Sequence, residues 1–123
     1  MLLQGNKISK SYNKIDVLNN VDISVSSGEI VSIVGRSGAG KSTLLYILSS
    51  LENPDKGDVL VDGINLKSLS KNQLAHFRNQ NIGFIFQFHN LLPEFDALEN
   101  VCIPGYISEK NRNPKTIAHK RAV

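Results

Sequence analysis

The sequence predicts an α/β fold in which an antiparallel β portion precedes a strand, a glycine-rich loop and a helix. Three observations carry this. Val21, Ile23 and Val25 alternate with Asp22, Ser24 and Ser26, the period of a strand with one buried face. The run Ile30, Val31, Ser32, Ile33, Val34 is almost wholly apolar, as in a strand covered on both faces of a sheet. Beyond the glycines that follow, Leu44, Ile47, Leu48 and Leu51 recur at helical spacing.

The elements follow in order. Residues 2–9 read as the partner of the strand at 21–25, with polar turns at Tyr12-Asn13-Lys14 and Leu18-Asn19-Asn20, so the opening third is an antiparallel meander. Ser27-Gly28-Glu29 turns the chain into the strand at 30–34. The helix from Lys41 is stopped by Asn53-Pro54-Asp55. Val59-Leu60-Val61 is a short strand between Gly57-Asp58 and Asp62-Gly63. Ser70 with Gln73 forms a capping box and Leu69 with Leu74 has the spacing of a hydrophobic staple, which starts a helix whose apolar face continues at Phe77. Residues 82–86 form another strand, ending at Gln87. An irregular segment rich in aromatics and leucine leads to a helix at 96–103, broken by Pro104-Gly105. Pro114 opens a last helix that reaches Val123 with no stop signal.

Composition narrows the class. The 123 residues are 41% hydrophobic and 20% charged, ordinary for one globular unit. A net charge of +3, with basic residues scattered apart from a cluster in the last dozen positions, does not argue for nucleic acid. The lone Cys102 rules out an internal disulfide, fits a reducing compartment and sits beside apolar Val101, as a small buried hydrophobe does. No stretch approaches the roughly 18 apolar residues of a membrane span, and the N-terminus lacks the regions of a signal peptide. A soluble, unexported chain is expected, with peripheral attachment to a membrane protein left open.

Gly35-Arg36-Ser37-Gly38-Ala39-Gly40-Lys41-Ser42 matches G-x-x-x-x-G-K-[ST]. A loop that wraps a phosphate aims successive backbone N–H groups inward, and Gly35, Gly38 and Gly40 remove the side chains that would obstruct this. The anion then lies at a helix N-terminus, where orphan N–H groups and the dipole favour negative charge. Lys41 reaches the β and γ phosphates, Ser42 offers its hydroxyl to Mg²⁺, and Thr43 hydrogen-bonds near the α phosphate. By chance the pattern arises at roughly one position in 25,000 at ordinary residue frequencies. The buried strand before it and the helix after it supply the required context.

A phosphate loop alone does not choose among kinases, GTPases, motors and transporters. With antiparallel strands, then GRSGAGKST, then SLENPDKGDVLVDG, then IGFIFQ, the chain resembles the N-terminal part of an ABC-type ATPase. That resemblance implies a P-loop NTPase fold: an antiparallel β subdomain plus part of a RecA-like core. It implies MgATP as ligand. It also implies that Tyr12 stacks on the adenine, a flat π face suiting a purine. Gln87 matches the family's Q-loop glutamine, which meets Mg²⁺ or the attacking water. A small-molecule kinase is disfavoured by the strands before the loop and by Tyr12 and Gln87.

The stretch QFHNLLPEFDALENV looks like the ATP-binding subunits of lipoprotein-releasing ABC transporters of bacterial inner membranes. Macrolide-export and cell-division subunits share its leucines and Glu-Asn-Val but differ around His89 and Pro93-Glu94-Phe95. Phe88, Leu91, Leu92 and Phe95 crowd one loop where they cannot all face a core, and exposed apolar surface marks a partner. The alternative is that they cap the domain's own core. The resemblance supplies the coupling helix of a transmembrane subunit as the partner, with His89 at that interface. It further implies a second nucleotide-binding subunit and a place on the cytoplasmic face of the inner membrane.

The family's LSGGQ-type signature, Walker B aspartate, adjacent glutamate and switch histidine are not in this sequence. Val59-Leu60-Val61-Asp62 resembles a Walker B strand only superficially, since Gly63 follows where the family has a hairpin-like connection. Residues 1–123 are therefore expected to be the N-terminal portion of one nucleotide-binding domain, an ATPase when complete and inactive alone. The contrasting expectation is a folded, non-catalytic interaction fragment.

Overall fold

A computed structural model describes residues 1–88 and 90–107, and the chain folds as two units, Met1–Leu74 and Ala75–Val123. In the first unit β1 (Leu3–Tyr12), β2 (Ile15–Val25), β3 (Lys56–Val61) and β4 (Ile64–Asn65) form one antiparallel sheet in the order β2-β1-β3-β4. Asn13 and Lys14, at φ 49° and 68°, make the two-residue left-handed turn whose twist matches the flanking strands. The alternation predicted for residues 21–26 holds, with Val21, Ile23 and Val25 half-buried and the polar residues between them exposed.

Leu18-Asn19-Asn20 is not a turn. Leu18 pairs with Lys10 inside the sheet and is buried. Three steps on β2 from Leu18 to Val21 oppose two on β1 from Ile8 to Lys10, and Asn20 takes up the extra residue at φ 48°. The Asn-rich composition thus marks a β-bulge, which needs the same left-handed tolerance as a turn. A second bulge lies at Lys7 (φ 48°), whose N–H donates to the Asp22 carboxylate at 2.7 Å. Gly57 (φ 90°) rides on that bulge, where a Cβ would collide with the carbonyl oxygens of Asn6 and Lys7.

Helix α1 spans Lys41–Leu48 and buries Leu44, Ile47 and Leu48. Together with Ile8, Leu18, Val59 and Leu66 these make the core of the first unit. The helix ends before Asn53-Pro54-Asp55. Ser50 adopts φ 57°, the Ser50 N–H donates to the Ile47 carbonyl at 3.0 Å, and the Leu51 N–H donates to the Tyr46 carbonyl at 2.8 Å. This is a Schellman stop with serine where glycine is usual, and it leaves Leu51 exposed beyond the helix. Asp62 and Gly63, at φ 50° and 78°, form a hairpin turn between β3 and β4, so Asp62 is a turn residue and not the end of a buried parallel strand. A 3-10 turn (Leu66–Ser68) follows.

Residues 30–34 and 82–86 form no strand, contrary to expectation. Ile30 is 95% exposed and Ile85 is 98% exposed. A strand exists only through its neighbours' hydrogen bonds, and β1, β2, β3 and β4 pair with one another and with neither run. Apolar composition reports what such a run needs against its faces; it carries no information about whether a partner is at hand.

Helix α2 (Lys71–Asn81) starts at the predicted capping box: the Ser70 N–H donates to Gln73 Oε1 at 2.9 Å and the Gln73 N–H to Ser70 Oγ at 3.4 Å. In the second unit, helix α3 (Ala97–Ile107) opens on a further reciprocal pair, Asp96 with Glu99. Pro104-Gly105 does not break it. The helix runs through Pro104, forgoing the hydrogen bond its missing N–H would make to Asn100, and the Pro104 carbonyl accepts from Asn79 Nδ2 at 2.8 Å. Cys102 is buried on α3. His89, His119 and the helix expected from Pro114 lie outside the described residues.

Candidate functional site

The glycine-rich loop runs from Gly35 to Gly40, the N-cap of α1, with Arg36, Ser37, Gly38 and Ala39 exposed. The Ala39 N–H turns back to the Arg36 carbonyl at 3.2 Å. Gly40 is required twice over. It stands at φ 82°, and a Cβ there would lie 2.8 Å from the Val17 carbonyl oxygen and 2.9 Å from Leu18 Cδ2. The bulged start of β2 is therefore the floor under the loop.

No side chain caps α1 and no acidic residue occupies its first turn. The Leu44 N–H, bonded to the Gly40 carbonyl at 2.8 Å, closes the first helical ring, which leaves the preceding N–H groups without intrahelical partners. Lys41 Nζ donates to the Gly35 carbonyl at 2.9 Å and to the Arg36 carbonyl at 2.7 Å. Its charge is thus folded over the loop's first two residues. An uncapped positive helix end, a lysine over the loop and the exposed Ser42 at the second helical position are chemistry that suits an anion, and the residues present fit a phosphate with a bound cation.

Tyr12 ends β1 beside this helix. Its hydroxyl donates to Glu52 Oε2 at 2.6 Å. Lys10 Nζ sits 5.4 Å from the centroid of the Tyr12 ring, and contacts Glu52 Oε1 at 3.2 Å, Asp55 Oδ1 at 3.1 Å and the Asn53 carbonyl at 2.9 Å. The Ser11 N–H donates to Asp55 Oδ2 at 2.8 Å. The hydrogen bond to Glu52, burial and the carboxylate's charge push the Tyr12 phenol above its ordinary range, against the opposing pull of Thr43 and Lys10. Burial pulls the Lys10 ammonium down, but the hydrogen bonds and charges of Asp55 and Glu52 outweigh it and the net shift is upward. The Ser11 N–H and then Lys10 hold Asp55 below the usual carboxylate range.

Of the residues singled out from the sequence, the structure gathers Tyr12, Lys41, Ser42, Thr43 and the loop in the first unit. Gln87 lies in the second unit, exposed, just past the residues 84 and 86 whose rings meet at 4.5 Å. Phe88, Leu91, Leu92 and Phe95 are all exposed and do not cap a core among the described residues. Two features had no sequence signal. Glu52 is 40 residues from Tyr12, beyond any periodicity. Asn100 braces the apolar loop: its Nδ2 donates to the carbonyls of Leu92, Phe95 and Asp96 at 3.1, 3.0 and 2.9 Å, and its Oδ1 accepts from the Leu92 N–H at 2.9 Å. No helix of the described residues is long and apolar enough to cross a membrane.

A family model described as ABC transporter matches residues 18–122. The lipoprotein-releasing system ATP-binding protein LolD of Cytophaga hutchinsonii is 54% identical over 110 residues, covering 89% of this chain and 50% of that protein. The protein of the same name from Porphyromonas gingivalis is 49% identical over 121 residues, covering 98% and 55%. Among solved structures, the dimeric post-hydrolysis state of the ATP-binding cassette MJ0796, bound to ADP and Pi, superposes with a TM-score of 0.89 at 35% identity, covering 97% of this chain and 55% of that one. The chain spans about half the length of the relatives it matches.

Proposed function

The chain belongs to the ABC transporter family, and from that membership we propose that it is the phosphate-holding part of the ATP-binding subunit of a lipoprotein-releasing transporter. The observation that carries this is the uncapped start of α1 with Lys41 folded over the loop. Backbone N–H groups of residues 38–43 and the Lys41 ammonium bind the phosphates, Ser42 holds Mg²⁺, Thr43 lies near the α phosphate and Tyr12 stacks on the adenine. Gln87 serves as the residue that senses Mg²⁺ or the attacking water. MgATP, when bound, supplies the free energy whose release in the complete subunit drives transport.

The sequence lacks the signature, the Walker B aspartate and its adjacent glutamate, so this chain binds nucleotide and does not hydrolyse it. The loop carrying Phe88, His89, Leu91, Leu92 and Phe95 is read as the docking surface for a transmembrane subunit, on the cytoplasmic side of the inner membrane. A second nucleotide-binding subunit completes the site across the phosphate loop. The lipoprotein-releasing class is favoured over macrolide export and cell division by the two relatives of about half identity, both named for lipoprotein release.

The decisive experiment titrates MgATP into the chain and into Lys41→Ala. Removing a charged donor is expected to weaken binding about tenfold or more; equal affinity overturns the assignment. Sustained phosphate release above background from the wild-type chain would refute its catalytic silence. Copurification with a lipoprotein-releasing membrane subunit should be lost in Leu91→Ser/Leu92→Ser, and retention would remove the docking assignment.

A further inference from the structure

The acidic residue that follows α1 and the lysine two residues before Tyr12 have no role in the reading above, yet they converge on that tyrosine. We infer that Glu52 and Lys10 are positioning residues for nucleobase recognition: they lock the Tyr12 ring in place before nucleotide arrives and leave one ring face for a purine. The inference rests on the reading of Tyr12 as the stacking residue and goes beyond it.

The geometry is closed on every side. Glu52 uses both carboxylate oxygens, Oε2 on the Tyr12 hydroxyl at 2.6 Å and Oε1 on Lys10 at 3.2 Å. Lys10 is in turn held by Asp55 and the Asn53 carbonyl, and its side chain is only 13% exposed. The ammonium lies over one face of the tyrosine ring at 5.4 Å, so a stacking base takes the opposite face. Tyr12 itself stays 41% exposed.

Glu52 is placed by the same helix that starts at the phosphate loop. Its N–H donates to the Tyr46 carbonyl at 3.1 Å, sharing that acceptor with the Leu51 N–H of the Schellman stop. Helix α1 therefore connects a phosphate site at its first residue to a base platform tethered at its last turn. Eight residues of helix span about 12 Å. A ring fixed in advance spares the ordering cost that a free side chain would incur on binding, worth about three- to tenfold in affinity.

The test compares MgATP with magnesium tripolyphosphate, which has no base, by calorimetry on the chain and on Glu52→Ala, Glu52→Gln and Tyr12→Phe. Glu52→Ala and Tyr12→Phe should each lose about three- to tenfold for MgATP and nothing for tripolyphosphate. The double variant should lose no more than either single one. Glu52→Gln keeps an acceptor and should retain most of the affinity. An alkaline absorbance titration, with Tyr12→Phe as the blank, should show the Tyr12 phenol ionising at lower pH in Glu52→Gln. Equal weakening of both ligands would assign Glu52 to the support of α1 alone, and unchanged MgATP affinity in Glu52→Ala would show that the ring needs no tether; either overturns the inference. The phosphate-loop reading fails differently, by Lys41→Ala leaving tripolyphosphate binding intact.

Discussion

Replacing Gly40 by alanine separates two penalties that the structure places on one residue. At φ 82° any L-residue incurs the left-handed cost, about 1–2 kcal/mol. The added methyl would also sit 2.8 Å from the Val17 carbonyl oxygen and 3.0 Å from Val17 Cγ1. Because the nearest atom is backbone, relief requires β2 to shift, and overpacking of that kind costs about 1–3 kcal/mol more. Gly38 is the internal control: it has φ 79° and a methyl added there would meet nothing within 4 Å, so Gly38→Ala carries the first penalty alone. The difference, about 2 kcal/mol, should lower the urea midpoint of Gly40→Ala below that of Gly38→Ala by about 1 M for an m-value near 2 kcal/mol per M. Urea unfolding followed by circular dichroism measures it. Coincident midpoints for the two variants would refute the claim that β2 is a rigid floor under the loop.

Three further outcomes follow from the geometry. Lys14, at φ 68° in the β1–β2 turn, is strained, and Lys14→Gly should stabilise the chain by about 0.5–1 kcal/mol; a lower urea midpoint would contradict this. Asn100→Ala removes four hydrogen bonds that brace residues 92–96, so hydrogen exchange at the Leu92 amide should accelerate while amides of β1 and β3 keep their protection. Asp55 has a depressed folded pKa, so its contribution is present above its ordinary value near 3.8 and is lost as pH falls from there through the folded value. The stability of Asp55→Asn should accordingly depend less steeply on pH in that acid window, and parallel profiles for the two proteins would remove Asp55 from the account.

Local chemistry was legible and distant chemistry was not. The Ser70–Gln73 box and the alternation at 21–26 are written in contiguous residues and each forms as its pattern requires, whereas the phosphate loop leads into α1 as expected but lacks the strand expected before it at 30–34. Asn19 and Asn20 show how one signal serves two structures, since left-handed tolerance suits a bulge as well as a turn. Ser50 hides the end of α1 because it takes a role that glycine ordinarily announces. Pro104 reads as a breaker because its ring and missing N–H count against any helix interior, yet α3 runs on through it. The tether from Glu52 to Tyr12 depends on chain 40 residues away, which no window of neighbouring residues contains.

The uncovered apolar runs also bear on how this chain behaves in a crowd. The pairs of β1 with β2 are at most 22 residues apart, from Leu3 with Val25, so that sheet closes from its own neighbourhood early in synthesis. Among the described residues neither run pairs with β1, β2, β3 or β4, and the backbone of each is a candidate template for another chain. They are not equally guarded. Residues 30–34 are bracketed by Glu29 and Arg36, charges of the kind that hinder stacking of like strands. Residues 79–93 contain no Asp, Glu, Lys or Arg at all, and Phe84, Ile85 and Phe86 lie in their midst. Self-association of the isolated chain should begin there, so Ile85→Lys should suppress concentration-dependent light scattering more than Val34→Lys.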